Sequence, residues 1–383
     1  MIKRTPRSWL NTLFLLGTLV LALVLVPWKL ATQGLRWSEV GMFLVMYTAI
    51  GLAITIGYHR LFSHRAFQAA WPARLAVLLL GAAAFQNSAI AWCSDHRHHH
   101  RFVDDPERDP YPVRRGFWYA HWLWVMAGGE RPVEGVGDLL RDPLLRWQRR
   151  HHFWIGGAVA ALPVVAVGLL TGNLVGQLVM GLLVRIVATH HSTFLVNSAA
   201  HWFGRQPYTD ANSARDNALL APFTFGEGYH NFHHMWQWDY RNGPRWYQWD
   251  PAKWLIAAGA WVGLTWGLRR VSATEMQRAR VALEAKRLAS RLAPALPEAL
   301  EVRTALVTAQ ARMDAALTAL QACLDAWCSK KADWERKGQA RTESWRRVRA
   351  EWRVQRARTR RDLREAWAAW KRARLVARRL ALA

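Results

Sequence analysis

The sequence predicts an all-α protein that crosses a membrane four times and ends in a helical extension outside it. Long apolar runs punctuate residues 1–270, and residues 271–383 contain none. The chain is 52% hydrophobic with 24 tryptophans, yet its net charge is +25. That contradiction resolves by position: residues 271–383 hold 26 Lys and Arg against 12 Asp and Glu, a balance of +14. The chain therefore divides into a membrane part, 1–270, and a basic helical part, 271–383.

The membrane part justifies its elements in order. Lys3, Arg4 and Arg7 precede an apolar run over 9–28. The run is long and no small-residue cleavage site follows, so it predicts a first span rather than a signal peptide, with Trp9 and Trp28 as interfacial anchors and the basic end in the cytoplasm. A second run, 40–58, ends directly on His59. Further runs cover 75–92, 153–170 and 174–196, and a shorter one covers 254–266. Arg185 lies inside the last long run, where a charge needs a backbone carbonyl or another polar partner, or lines a channel.

Nine of the 15 histidines fall in four clusters. His230, His233 and His234 sit at i, i+3 and i+4, which puts three imidazoles on one helical face. His96, His99 and His100 repeat that spacing. His59 and His64 form an HxxxxH pair, about 140° off one α-helical face, so they are expected where the span ends and not within a regular helix. Asn197 and His201 complete the set. Clusters that share one site must lie on one side of the bilayer. A full crossing by 75–92 would separate His64 from His96, so that run is expected in the interface. Four spans remain, with both ends of the part on one side.

So many imidazoles without a metal would leave polar groups unpaired. Nine histidines, no clustered cysteine and no clustered carboxylate suggest two metals with four or five nitrogens each. Asp95, Asp104, Asp105 and Glu227 are candidates to accept the second ring protons. His121, His151, His152, His190 and His191 read as satisfied polar residues. Cys93, Cys323 and Cys328 form no CxxC pair and are expected reduced.

These pieces resemble the membrane fatty acid desaturases of the stearoyl-CoA desaturase type. The resemblance rests on Gly57-Tyr58-His59-Arg60-Leu61-Phe62-Ser63-His64-Arg65, Asp95-His96-Arg97-His98-His99-His100, Val196-Asn197-Ser198-Ala199-Ala200-His201, the segment 226–234 and Ala84-Phe85-Gln86-Asn87. It covers about residues 40–250 and excludes the extension. It implies four spans beneath a cytoplasmic helical cap that holds two irons, with His59, His64, His96, His99, His100, His201, His230, His233 and His234 as ligands and Asn197 holding a metal-bound water. It implies O2-dependent insertion of a cis double bond, at carbon 9, into a saturated acyl chain. Two electrons are expected from a separate ferredoxin- or cytochrome-type donor, and the expected setting is a bacterial inner membrane with both termini and the active site in the cytoplasm. Gln86, Asn87, Trp92 and Asp95 fall where the family contacts CoA, with Arg114 and Arg115 placed for phosphates. Tyr47 and Gly51 fall where the family closes the methyl end of its tunnel. Ser94 replaces an arginine of animal members, and 127–129 replaces a basic patch. An acyl-CoA therefore leads, with acyl-lipid and acyl-carrier-protein substrates open beside it. A membrane di-iron hydroxylase is the nearest rival chemistry, and a metal sensor or transporter the rival class.

In the extension, Leu306, Met313, Leu317, Leu320 and Leu324 follow a coiled-coil spacing. Trp345 and Trp352 lie seven apart among arginines, which suits either a helix lying on membrane lipid or a solvated helical hairpin. No nucleic-acid motif accompanies the charge. The extension is expected to be dispensable for the chemistry.

Overall fold

The computed structural model describes residues 6–127, 131–292, 297–337 and 343–381, and these form two compact units. The first comprises Met1–Gln206 and Ala211–Arg270, the second Pro207–Asp210 and Val271–Ala383.

In the first unit, α1 (Pro6–Gln33) and α2 (Trp37–Ala53) form a hairpin, and α2 runs on as a π-helix over Ile54–Ser63. α3 (Trp71–Ala82) and α4 (Ala89–Phe102) follow. A second long hairpin pairs α5 (Pro143–Leu170) with α6, which starts at Leu174, passes through a π-helical stretch, Leu178–Val184, and ends at Asn197. Among the described residues, four helical segments are long and apolar enough to cross a membrane: Trp9–Gln33, Trp37–Ser63, Pro143–Leu170 and Leu174–Trp202. Leu13, Leu23, Leu162 and Leu170 are exposed on them, as lipid contact requires.

The expectation for 75–92 holds in substance. α3 has 12 residues, about 18 Å of helix, too short for a hydrocarbon core of about 30 Å. The chain then turns through Phe85 and Asn87, both at positive φ, and Ser88 caps α4 by accepting from the Ala91 N–H. Arg185 is wholly buried and donates from Nη1 to the Ala83 carbonyl at 2.7 Å. Of the roles open to it, it takes that of a packing residue that pins this turn to α6.

Remote from the histidines, the two long hairpins are clamped by a buried polar cluster. Lys29 pairs with Glu39, which also accepts from Asn173 Nδ2 at 2.7 Å. The hydrophobic core of the unit joins α2 and its π-helix, α3, α4 and α5 through Ile50, Tyr58, Leu78, Ile90, Cys93 and Leu145, with Ile256 from a later helix. Cys93 is a free thiol whose Sγ donates to the Tyr58 carbonyl at 3.2 Å. The run at 254–266 does not cross. It forms α7 (Pro251–Trp261), and then a two-residue strand, Thr265–Trp266, pairs antiparallel with Gln68–Ala69.

The second unit packs α8 (Ala273–Arg291), α9 (Pro297–Arg336) and α10 (Glu343–Leu380). Leu306, Met313 and Leu317 are buried with Ala366, Trp370 and Ala377. Trp327 stacks on both Trp345 and Trp352, and Trp352 Nε1 donates to the Cys323 carbonyl, which runs α9 and α10 antiparallel. The two tryptophans are therefore hairpin packing residues: stacking on Trp327 uses their faces. Pro294 lies outside the described residues, and Pro297 opens α9.

Candidate metal centre

The chain brings its nine clustered histidines together from four places. The HxxxxH pair is joined by the π-helix. There the His64 N–H bonds the His59 carbonyl five residues back, so residues five apart stack in successive turns and both imidazoles face inward. α4 presents His96, His99 and His100 on one face. His201 follows the end of α6 on a one-turn helix, Ala199–Trp202, and His230, His233 and His234 sit on a short helix, His230–Met235.

The ring nitrogens sort into two groups, His59, His64, His96, His100 and His233, and His99, His201, His230 and His234, each with its ligand atoms within 4.8 Å of one another. The groups adjoin: the His100 and His234 rings stack at 4.3 Å. Nε2 faces Nε2 across His59–His233, His100–His233, His64–His96 and His201–His230, at 2.9–3.1 Å. The partners on the other ring nitrogen fix the protons. His59 Nδ1 donates to Glu227 at 3.0 Å, and His99 Nδ1 to Asp109 at 2.9 Å. His201 Nδ1 donates to Ser213 Oγ at 2.7 Å, and that hydroxyl donates on to Asp104. Each of these rings turns a bare Nε2 lone pair inward, where only a cation satisfies several lone pairs at once. Burial first, then the neighbouring imidazoles, holds His64, His96, His100, His230, His233 and His234 well below the ordinary imidazole range, so they stand as neutral donors. The residues therefore fit two metal ions bound by nitrogen.

The carboxylates are partly those expected. Glu227 is the hub. It accepts from His59 Nδ1, from Arg60 Nη2 at 3.1 Å, and from Thr55 and Asn242. Burial raises its carboxyl, but the adjoining His59 imidazole, the Arg60 guanidinium and these hydrogen bonds win and hold it at about 2. Asp104 acts through Ser213. Asp105 instead binds Arg108, and Asp95 lies 3.6 Å from Arg131. Asp109 was missed. It lies in the loop after α4, and no periodicity relates it to His99. Arg60 was also passed over: it is wholly buried and bridges Glu227 to Asp250. His98 belongs to neither group and rests on Phe102.

A cavity of about 600 Å3, in the range of ligand sites, reaches the centre through His59, His96 and His230. Gly51, Gln86, Asn87, Trp92, Asp95 and Asn197 also line it. Trp92 Nε1 donates to Gln86 Oε1 at 3.3 Å, and Gln86 Nε2 donates to Thr193 Oγ1 at 2.9 Å. Arg114 and Arg115 do not line it. Arg115 stacks on Tyr119 instead, and the basic groups of the lining are Arg131, Arg149 and His152. Tyr47 is also outside: its hydroxyl donates to the Phe223 carbonyl, and Phe225, against which its ring packs, lines the cavity. His190, read as a satisfied polar residue, lines the cavity with no partner for Nδ1 among the described residues, while His121 and His191 bond each other at 2.9 Å.

A profile described as fatty acid desaturase matches residues 35–260, more than half of the chain. The chain belongs to the fatty acid desaturase family. Family members similar to it include acyl-CoA desaturase 1 of Saccharomyces cerevisiae, 37% identical over 288 residues, which are 73% of this chain and 55% of that protein. A probable acyl-CoA desaturase of Schizosaccharomyces pombe is 39% identical over 275 residues, 71% of this chain and 56% of that protein. Stearoyl-CoA desaturase 5 of Bos taurus is 34% identical over 276 residues, 69% of this chain and 80% of that protein. The chain thus spans little more than half the length of the first two of these relatives. The family match contains all nine clustered histidines and leaves out residues 261–383.

Proposed function

We propose that the protein is an O2-dependent desaturase that places a cis double bond, at carbon 9, in a saturated acyl-CoA. The observation that carries this is the cavity that ends on His59, His96 and His230, which belong to the two nitrogen groups. Two irons held there supply, with O2 and two electrons from a ferredoxin- or cytochrome-type protein, the oxidising power that removes two hydrogens from adjacent carbons. The chain's own residues do the rest. The cavity wall holds the acyl chain away from water. The hydrogen-bonded row Trp92, Gln86 and Thr193 gives that wall a fixed shape beside the histidines. Glu227, Asp109 and Ser213 keep the imidazole protons on the outward nitrogens. Arg131, Arg149 and His152 offer cationic or donor groups for the phosphates of a CoA carrier. The names of the similar proteins support the acyl-CoA carrier. The arginine-rich connections support a cytoplasmic histidine side.

Expression in a host that lacks its own desaturase, followed by fatty acid profiling, tests the activity. Monounsaturated eighteen-carbon chains are the expected product, and hydroxylated chains of the same length would assign a different outcome. Purified protein supplied with reductant and either stearoyl-CoA or phospholipid tests the carrier. Conversion confined to phospholipid would overturn the CoA reading.

Phe225 is expected to set the depth of the tunnel. A side chain at Gly51 would overlap the far edge of the Phe225 ring, so Gly51→Leu drives that ring into the cavity. The expected result is a shift toward chains of sixteen carbons or fewer for Gly51→Leu and toward longer chains for Phe225→Ala. An unchanged chain-length profile in both folded variants would leave the pair as packing residues. Truncation after Arg270 is expected to leave turnover within about twofold of the full chain, because the nine histidines and the cavity lining all precede it. A folded, metal-loaded but inactive truncation would give the extension a direct part.

A further inference from the structure

The extension concentrates its charge on one helix. α10 holds 14 Lys and Arg against four Asp and Glu, net +10. α9, two residues longer, holds five against six, net −1. A helix that needs only to be solvated mixes its signs, as α9 does. Thirteen of the 14 basic residues of α10 are arginine, whose planar fork suits phosphate oxygens. Packing takes Trp345, Thr359, Ala366, Trp370 and Ala377, so the arginines occupy the remaining surface. Arg346, Arg353, Arg358, Arg361, Arg364 and Arg372 are exposed, and none of them has an ion pair among the described residues. Val354, Leu375 and Val376 are exposed between them.

We propose that the exposed face of α10 binds anionic phospholipid, with its guanidinium groups on headgroup phosphates and its exposed aliphatic side chains at the acyl boundary. Length favours a surface over a small partner. The 38 residues of α10 extend about 57 Å, whereas a globular protein docks through a compact patch of about 800 Å2. Exposed valine and leucine among the arginines fit an interface that is polar outside and apolar within, which a nucleic-acid backbone does not offer. The extension is joined at Arg270–Val271 to a unit with four bilayer-spanning segments, so lipid headgroups meet it at high effective concentration.

The test uses the full chain in nanodiscs of phosphatidylcholine alone, so that the extension is offered anionic lipid only from added vesicles. Co-flotation with vesicles of phosphatidylcholine and phosphatidylglycerol is expected, with none for phosphatidylcholine alone. Raising salt from about 0.05 M to about 0.5 M is expected to weaken it at least about tenfold. The combined substitution Arg358→Gln, Arg361→Gln, Arg364→Gln and Arg372→Gln is expected to weaken it at least about tenfold at unchanged helix content. Co-flotation that ignores lipid charge, or that persists unaltered in the quadruple variant, would overturn the proposal. So would duplex DNA that binds the discs more tightly than the anionic vesicles do, which would assign the face to nucleic acid. If the variant loses helix content, the salt and lipid-charge dependence of the unsubstituted chain still decides between these outcomes.

Discussion

His96→Ala and His230→Ala, one from each nitrogen group, are each expected to lose metal and to reduce turnover at least about 100-fold. Wild-type protein prepared in iron-replete medium should carry about two irons per chain, and each variant measurably less. The size of the loss follows from the geometry. Changes outside a ligand sphere commonly cost 10–100-fold in affinity or activity, and these two imidazoles belong to the groups proposed as ligands. His230 Nε2 faces those of both His201 and His234, and His96 Nε2 faces that of His64. The control is His98→Ala. It lies on the same helix as His96 and in neither group, so it should keep both metal and turnover. Full activity in His96→Ala or His230→Ala would remove that residue from the ligand set.

The second large effect is expected at Glu227. Glu227→Gln removes the charge that balances Arg60 and receives the His59 proton, both buried. Breaking a buried pair in this way typically costs about 3–5 kcal/mol, shared here because Asp250 still holds Arg60. The fold should therefore survive with a lower melting temperature, while metal affinity falls about 10–100-fold as His59 loses its anchor. The acid limb supplies a further check. With its carboxyl depressed from 4.5 to about 2, Glu227 contributes stability that is fully present above 4.5 and is lost as pH falls toward 2. That part of the limb should flatten in the variant. Unaltered melting, metal affinity and acid limb would show that Glu227 is a bystander.

Much of this was legible in the chain because histidine spacing and apolar run length are local signals. The i, i+3, i+4 sets on α4 and on His230–Met235 need only a helix to converge, and parity was enough to keep α3 from crossing. The pair His59 and His64 was harder. On an α-helix they diverge, and nothing in the sequence announces the wider π-helical turn that realigns them. Asp109 and Ser213 escaped notice because a loop brings them to their imidazoles, and loop geometry has no period. Arg114 and Arg115 fall outside the cavity lining for a related reason: charge can be read from sequence, but the direction of a side chain on a short turn cannot.

The π-helix over Ile54–Ser63 also limits how this protein adapts to its bilayer. Membrane helices ordinarily gain or lose a residue at small cost, by tilting or by shifting one residue of depth. Here the hydrophobic stretch and the first two imidazoles share one continuous helix, Trp37–Ser63. Removing one residue anywhere in it turns everything beyond by about 100° relative to what precedes, and slides it about 1.5 Å. His59 and His64 would then leave the ring that Glu227 and His233 complete from another part of the chain. The second span is thus locked in length, and fitting a thicker or thinner membrane falls to α1 and α5, which carry no ligand.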